Sequence, residues 1–155
     1  MLSKKTKYAL KAMIVLARNH GKGPMLISTI SEQENIPKKF LENILLELKN
    51  AGMLASKKGA GGGYYLLKPP DTIMLSDIIR LMGGPIALVP CVSLNFYEPC
   101  EECKDELTCG IRQVALRVRD ASLEVLAKTS IKDLAEKEES LIAMHKKTRQ
   151  KSHAK

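Results

Sequence analysis

Residues 27–68 read ISTISEQENIPKKFLENILLELKNAGMLASKKGAGGGYYLLK, and this stretch decides the fold. Leu41, Ile44, Leu45 and Leu48 recur at i, i+3, i+4 and i+7, so they form one apolar stripe on a helix from Pro37 to Ala51. Pro37 suits a helix start, and Gly52 follows the last turn, where a left-handed residue is wanted. Ahead of it, Ile27 to Glu34 reads as a shorter helix with Ile27 and Ile30 facing inward. Asn35-Ile36 forms the turn between the two, because Asn tolerates a left-handed backbone. Two short helices joined in this way make a helix-turn-helix.

A hairpin follows, with Met53–Lys57 and Tyr64–Lys68 as strands and residues 58–63 as the loop. A glycine-rich loop that cradles phosphate lies between a strand and a helix. Here a strand-like Tyr64-Tyr65-Leu66-Leu67 follows the glycines and Pro69-Pro70 closes it, so no helix N-terminus is available. The loop therefore reads as the wing of a winged helix. Its glycines let the backbone come close to DNA, and Lys57 and Lys58 stand at its base.

Charge supports a polyanion partner. The 155 residues carry a net +8. Residues 1–70 hold 12 Lys/Arg against 4 Asp/Glu, whereas residues 71–155 hold 13 of each, so the whole excess lies on the helix-turn-helix and wing. A basic membrane-binding surface would need an amphipathic Lys/Arg helix with aromatic anchors, which the sequence lacks. No apolar run approaches the roughly 20 residues that span a bilayer, and no signal-peptide core is visible. The expectation is a cytoplasmic protein with no membrane partner. With 45% hydrophobic residues it has the composition of one compact domain plus an extension.

Ser3–Asn19 reads as the first helix, with Tyr8, Ala9, Ala12, Met13 and Leu16 inward and His20, before Gly21, as its C-terminal cap. Lys4, Lys5 and Lys7 crowd its first turn against the helix dipole, an arrangement a nearby phosphate backbone would explain. Past the wing, Ser76 is a candidate N-cap of a short helix that points Ile78, Ile79 and Met82 inward and stops at Gly83-Gly84-Pro85. A long helix begins at Gly110. Ile111, Val114, Ala115, Val118, Ala121, Ser122 and Val125 keep heptad spacing, while Leu116, Leu123 and Leu126 form a second apolar face. Such a helix needs two partners, its own domain and a second subunit. Ser130 and Asp133 then have capping-box spacing, and from Met144 a polar, basic tail is expected to fray. The expected units are a winged helix-turn-helix domain over 1–84, a cysteine-rich loop over 85–109, a dimerisation helix over 110–128, and a C-terminal helix with basic tail over 129–155. The fold class is mainly α with a small β-hairpin.

All four cysteines, Cys91, Cys100, Cys103 and Cys109, fall within 19 residues. A cytoplasmic setting disfavours structural disulfides. Cys100 and Cys103 have the spacing that lets two thiolates chelate one metal or cluster edge, and Cys109 stands where the dipole of the long helix favours its thiolate. A zinc site, a metal-free thiol switch and an iron–sulfur cluster all fit this pattern.

With these parts laid out, the chain resembles the IscR/NsrR/CymR-type winged-helix repressors from about Lys5 to Ala135. The residues that carry the resemblance are Lys7-Tyr8-Ala9, residues 40–45, residues 48–52 and above all Lys58-Gly59-Ala60-Gly61-Gly62-Gly63-Tyr64. The resemblance implies a dimeric DNA-binding regulator that senses iron–sulfur status, nitric oxide, iron or cysteine metabolism. Cluster-bearing members use three cysteines before the dimerisation helix, and Cys91, Cys103 and Cys109 match that triad best. Two departures stand out. Cys100 is an extra thiol inside a longer gap, and Arg112 replaces the His that serves one branch as fourth ligand. The cofactor expected is an iron–sulfur cluster, 2Fe-2S or 4Fe-4S, with zinc as the alternative and Cys100 as a further ligand.

The expected partner is double-stranded DNA with a palindromic operator, read by a homodimer. Candidate DNA contacts are Lys5, Lys38, Lys39, Phe40, Glu42, Asn43, Lys57, Lys58, Gly61, Gly62 and Tyr64. Glu accepts from cytosine N4 and Asn pairs with adenine, so Glu42 and Asn43, with Lys39, are the base-reading candidates. Phe40 either meets a thymine methyl or anchors its helix. No nucleophile–base arrangement is present, which argues against an enzyme. An iron–sulfur electron carrier on the same scaffold would leave the +8 of residues 1–70 without a purpose.

Overall fold

The computed structural model describes residues 2–152. It is built from α1 (Lys4–Arg18), α2 (Ile27–Glu34), α3 (Lys38–Asn50), β1 (Leu54–Lys57), β2 (Gly63–Leu66), α4 (Leu75–Gly83), α5 (Gly110–Leu126) and α6 (Ile131–Ser152), with 3-10 turns at Pro70–Thr72 and Pro90–Val92. This is a mainly helical winged helix-turn-helix with a two-stranded wing, a cysteine-rich loop and a long C-terminal helix.

One core serves the winged helix-turn-helix. Ala9, Ala12, Met13 and Leu16 of α1 are buried against Ile30, Leu41, Ile44, Leu45 and Leu48. Burying a side chain the size of Leu or Ile contributes about 1.5–3 kcal/mol, so the stripe of α3 alone is enough to orient that helix. The turn before it is tightly specified. Asn35 adopts φ 51° and ψ 49°, the Ile36 amide donates to Ser31 O at 3.0 Å, and Ser31 Oγ donates to Ile36 O at 2.6 Å. Pro37 is the residue before the helix, and its carbonyl accepts from the Leu41 amide at 3.0 Å.

The wing strands pair antiparallel, with Leu54 opposite Leu66 and Lys57 opposite Gly63. Both leucines are buried, which fixes the register. A short bridge between Met25 and Tyr64 ties the hairpin to the segment before α2.

Three local expectations are corrected. Ser76 does not cap α4; it is buried, and the helix starts at Leu75 after Met74. The Leu75 amide donates to Thr129 O at 3.0 Å, so a neighbouring backbone carbonyl does the work of a capping side chain. His20 does not cap α1 either. Asn19 is the capping residue, and its side-chain amide donates to Gly23 O at 2.8 Å. The polar tail does not fray at Met144, because α6 runs to Ser152. Its exposed residues include Glu136, Lys137, Glu139, Lys146, Lys147 and Arg149, types that favour helix without burial. His153 lies outside the described residues. The capping box of α6 forms as its spacing implies: the Asp133 amide donates to Ser130 Oγ at 3.1 Å, and the Ser130 amide donates to Asp133 Oδ2 at 2.8 Å.

Candidate nucleic-acid interface and cysteine loop

The outer face of α3 presents Lys38, Lys39, Glu42 and Asn43, all exposed. Phe40 is 41% exposed, with its ring edge-on to Tyr8 at 5.8 Å. That contact braces α3 against α1, and Lys4 Nζ lies 6.0 Å from the centre of the same Tyr8 ring. Lys5 points at α3 and pairs with Glu47 at 2.6 Å, so its charge is shared within the domain.

The wing is less uniform than its glycines suggest. Lys57, Lys58, Gly59 and Gly61 are exposed. Gly62 is buried, its amide donates to Gly59 O at 2.9 Å, and a Cβ there would strike the backbone of the same loop. Its lack of a side chain serves the turn and does not expose backbone for contact. Tyr64 likewise packs part of its ring on the core and exchanges backbone hydrogen bonds with Met25. Lys49 Nζ donates to Ser56 Oγ at 2.8 Å, a strap from α3 to the wing that nothing in the sequence signals.

The cysteine loop packs on the first half of α5. Cys91 and Val92 are buried with Ala115, and Cys100 and Leu116 lie against them. Arg119 secures this turn by donating to Val92 O at 2.7 Å. Cys103 stands between Cys100 and Cys109. Its thiol donates toward Cys100, and a second interaction with Cys109 adds to this, so its pKa is pushed up to about 12. Cys109 goes the other way. The Arg112 amide donates to its sulfur at 3.5 Å and Cys103 adds a second donor, so its pKa is lowered, the effect of a helix N-terminus on an anion. The structure thus places Cys103 near both Cys100 and Cys109, with Cys91 buried beside Cys100. Among the described residues, no three His, Cys, Asp or Glu side chains converge closely enough to share one metal ion. The fit to a soft metal or cluster therefore lies in donor type and neighbourhood: four sulfurs at the start of α5.

Beside the thiols lies a clasp that the sequence reading missed. Tyr97 Oη donates to Glu106 Oε1 at 2.8 Å, and Arg112 Nε is 3.3 Å from Glu106 Oε2. Glu106 and Arg112 stand three residues either side of Cys109, a spacing that in hindsight signals a charged pair framing the thiol. Arg112, which cannot ligate a metal, is occupied by this pairing.

The two faces of α5 separate cleanly. Ala115, Leu116, Leu123 and Leu126 lean on the chain's own body, whereas Ile111, Val114, Val118 and Val125 are 40–74% exposed. No helix among the described residues is long and apolar enough to cross a membrane.

A family profile described as Rrf2, iron-dependent transcriptional regulator, matches residues 2–137. The chain belongs to the Rrf2 family. It is a winged helix-turn-helix DNA-binding transcription regulator and not an enzyme. The regulator CymR of Bacillus subtilis is 40% identical over 134 residues, covering 86% of this chain and 88% of that protein. The structure of CymR, titled the global cysteine regulator of B. subtilis, superposes with a TM-score of 0.73 at 38% identity, covering 88% of this chain and 96% of CymR. The structure of T. potens IscR gives a TM-score of 0.72 at 27% identity, covering 91% and 90%.

Proposed function

We propose that this Rrf2-family regulator acts as a homodimer on a two-fold symmetric operator, and that its cysteine loop holds an iron–sulfur cluster whose state adjusts DNA binding. One observation carries this reading: Cys100, Cys103 and Cys109 are grouped at the N-terminus of the helix that presents an outward apolar stripe. A change at the thiols therefore acts on the element that would set the distance between two recognition helices. Cys91, Cys103 and Cys109 are the family-type ligands and Cys100 the fourth. A thiolate-bound cluster supplies a reversible change of charge, and its gain or loss orders or releases the loop that holds it.

On DNA, α3 lies in the major groove. Lys39, Glu42 and Asn43 meet base edges, while Lys58 and Lys5 meet phosphates. Two such helices related by a dyad reach half-sites about 34–36 Å apart or a multiple of that.

The test is a visible absorption spectrum of anaerobically purified protein, with iron and sulfide analysis. Thiolate-to-iron charge-transfer bands that vanish when Cys91, Cys103 or Cys109 is replaced by Ala support the assignment. Stoichiometric zinc without iron, or colour retained in all four single variants, refutes it.

A further inference from the structure

The end of α1 and the wing enclose a cavity that neither the outer face of α3 nor the cysteine loop uses. Its volume is about 410 Å³, within the range of small-molecule sites. Leu16 and Leu66, both buried, line it together with Pro24, Tyr65, Lys57 and His20, and most of its surface is apolar. The rim is preformed. Asn19 closes α1, accepts from the Lys22 amide at 3.0 Å through its carbonyl, and donates its side-chain amide to Gly23 O at 2.8 Å. The opposite wall is the hairpin, which the Met25–Tyr64 bridge holds against the same segment.

Charge decides what can enter. None of the residues lining the cavity is acidic, and among the described residues no carboxylate pairs with Lys57 or His20. A neighbouring cleft of about 570 Å³ differs: there Lys22 and Lys132 share the lining with Asp71, Glu136 and Glu139, and Arg18 is paired with Glu138. Its charges are balanced, whereas the smaller cavity favours an anion. The C-terminal end of α1 lines that cavity with the negative pole of its dipole, which works against a multiply charged group such as phosphate. A single carboxylate suits Lys57 on the wing side, with an apolar body lying on Leu16, Leu66 and Tyr65.

We propose that this cavity binds a small monocarboxylic acid with an apolar or aromatic body, and that its carboxylate draws Lys57 away from DNA. The ligand then joins the wing to the end of α1, so operator affinity responds to the acid without passing through the cysteine loop. The linkage is reciprocal: DNA that engages Lys57 weakens the acid by the same factor. This rests on DNA binding by the family and not on the cluster.

Full-length protein, reduced and cluster-free, is titrated with phenylacetate at constant ionic strength and followed by two-dimensional amide NMR. Saturable binding with a Kd of about 1 mM is expected for a ligand of this size, with shifts centred on Gly21, Gly23 and Leu66. Replacing the probe by its neutral analogue phenylacetamide, or Lys57 by Gln, should each weaken binding about fivefold, the upper end for an exposed ion pair. Tyr65→Ala removes a wall but no charge, so it should weaken both probes alike. Lys57 and Tyr65 are exposed, so both variants keep the core, with thermal unfolding as the check. On DNA, saturating phenylacetate should reduce the slope of log K against log salt by about 1. K57Q should show the reduced slope without ligand and no response to it. Shifts scattered over the surface without saturation overturn the inference. So do phenylacetamide or inorganic phosphate binding as tightly as phenylacetate, K57Q binding it like wild type, or a wild-type salt slope that phenylacetate leaves unchanged.

Discussion

Gly63→Ala isolates the junction that holds the wing. Gly63 has φ +140°, and an added Cβ would fall on the Met25 carbonyl group and within 2.9 Å of the Leu26 nitrogen. Two losses follow. A side chain in that backbone region costs about 1–3 kcal/mol. Relieving the clash separates Met25 from Tyr64 and breaks their two backbone hydrogen bonds, 2.9 and 2.8 Å long, each contributing about 1 kcal/mol net. The sum is about 3–5 kcal/mol, with undocking of the hairpin as its ceiling, since β1 and β2 can stay paired with each other. At about 2–4 °C per kcal/mol for a chain of this size, thermal unfolding should fall by about 10 °C. Gly110→Ala is the control: the position has an ordinary φ and nothing near its would-be Cβ, so its unfolding temperature should stay within about 2 °C. DNA affinity should drop in G63A alone, because the wing leaves the phosphate backbone. A G63A protein that melts with wild type and binds DNA equally well would show that the bridge does not hold the wing.

Other consequences concern single side chains. Glu42→Ala should change which duplex is preferred, whereas Lys58→Ala should weaken all duplexes alike and flatten the salt dependence; equal losses on every sequence would contradict this division. Cys100→Ala should abolish the visible chromophore if Cys100 is the fourth ligand, and retained colour would make it a spare thiol. Ser130→Ala should cost about 1 kcal/mol by removing the cap of α6. Ser130 holds the Asp133 carboxyl below the usual carboxylate range, first through its hydroxyl and then through its amide. A lowered folded pKa gives a contribution that is complete above the unfolded value of about 4 and is lost as pH falls through the folded value. The stability gap between S130A and wild type should therefore narrow at low pH without closing, since Ser130 Oγ still accepts from the Asp133 amide, and a constant gap down to pH 2 would contradict the linkage.

Amphipathic patterning made α3 legible to within one residue at each end, because Leu41, Ile44, Leu45 and Leu48 face one core and the opposite face is polar. α5 was equally plain as a helix, since apolar residues recur along its length, and one of its two apolar faces leans on the chain's own body. What stayed hidden depends on backbone meeting backbone across the chain. The Met25–Tyr64 bridge and the carbonyl of Thr129 over α4 involve no side-chain type that could announce them. The length of α6 was missed because solvated helix carries no apolar period. The thiol grouping was half visible: spacing joined Cys100 to Cys103, but only the fold shows Cys91 buried on the Ala115 side while Cys109 takes the Arg112 amide.

The most direct test of the central claim is the DNA affinity of one preparation in two states, cluster-loaded and cluster-free. It is measured anaerobically on a palindromic duplex selected from a random pool, at fixed salt. The expected result is a Kd difference of tenfold or more, about 1.4 kcal/mol of coupling or above, that disappears in the Cys103→Ala variant. Identical affinities in both states would mean that the cysteine loop does not govern DNA binding.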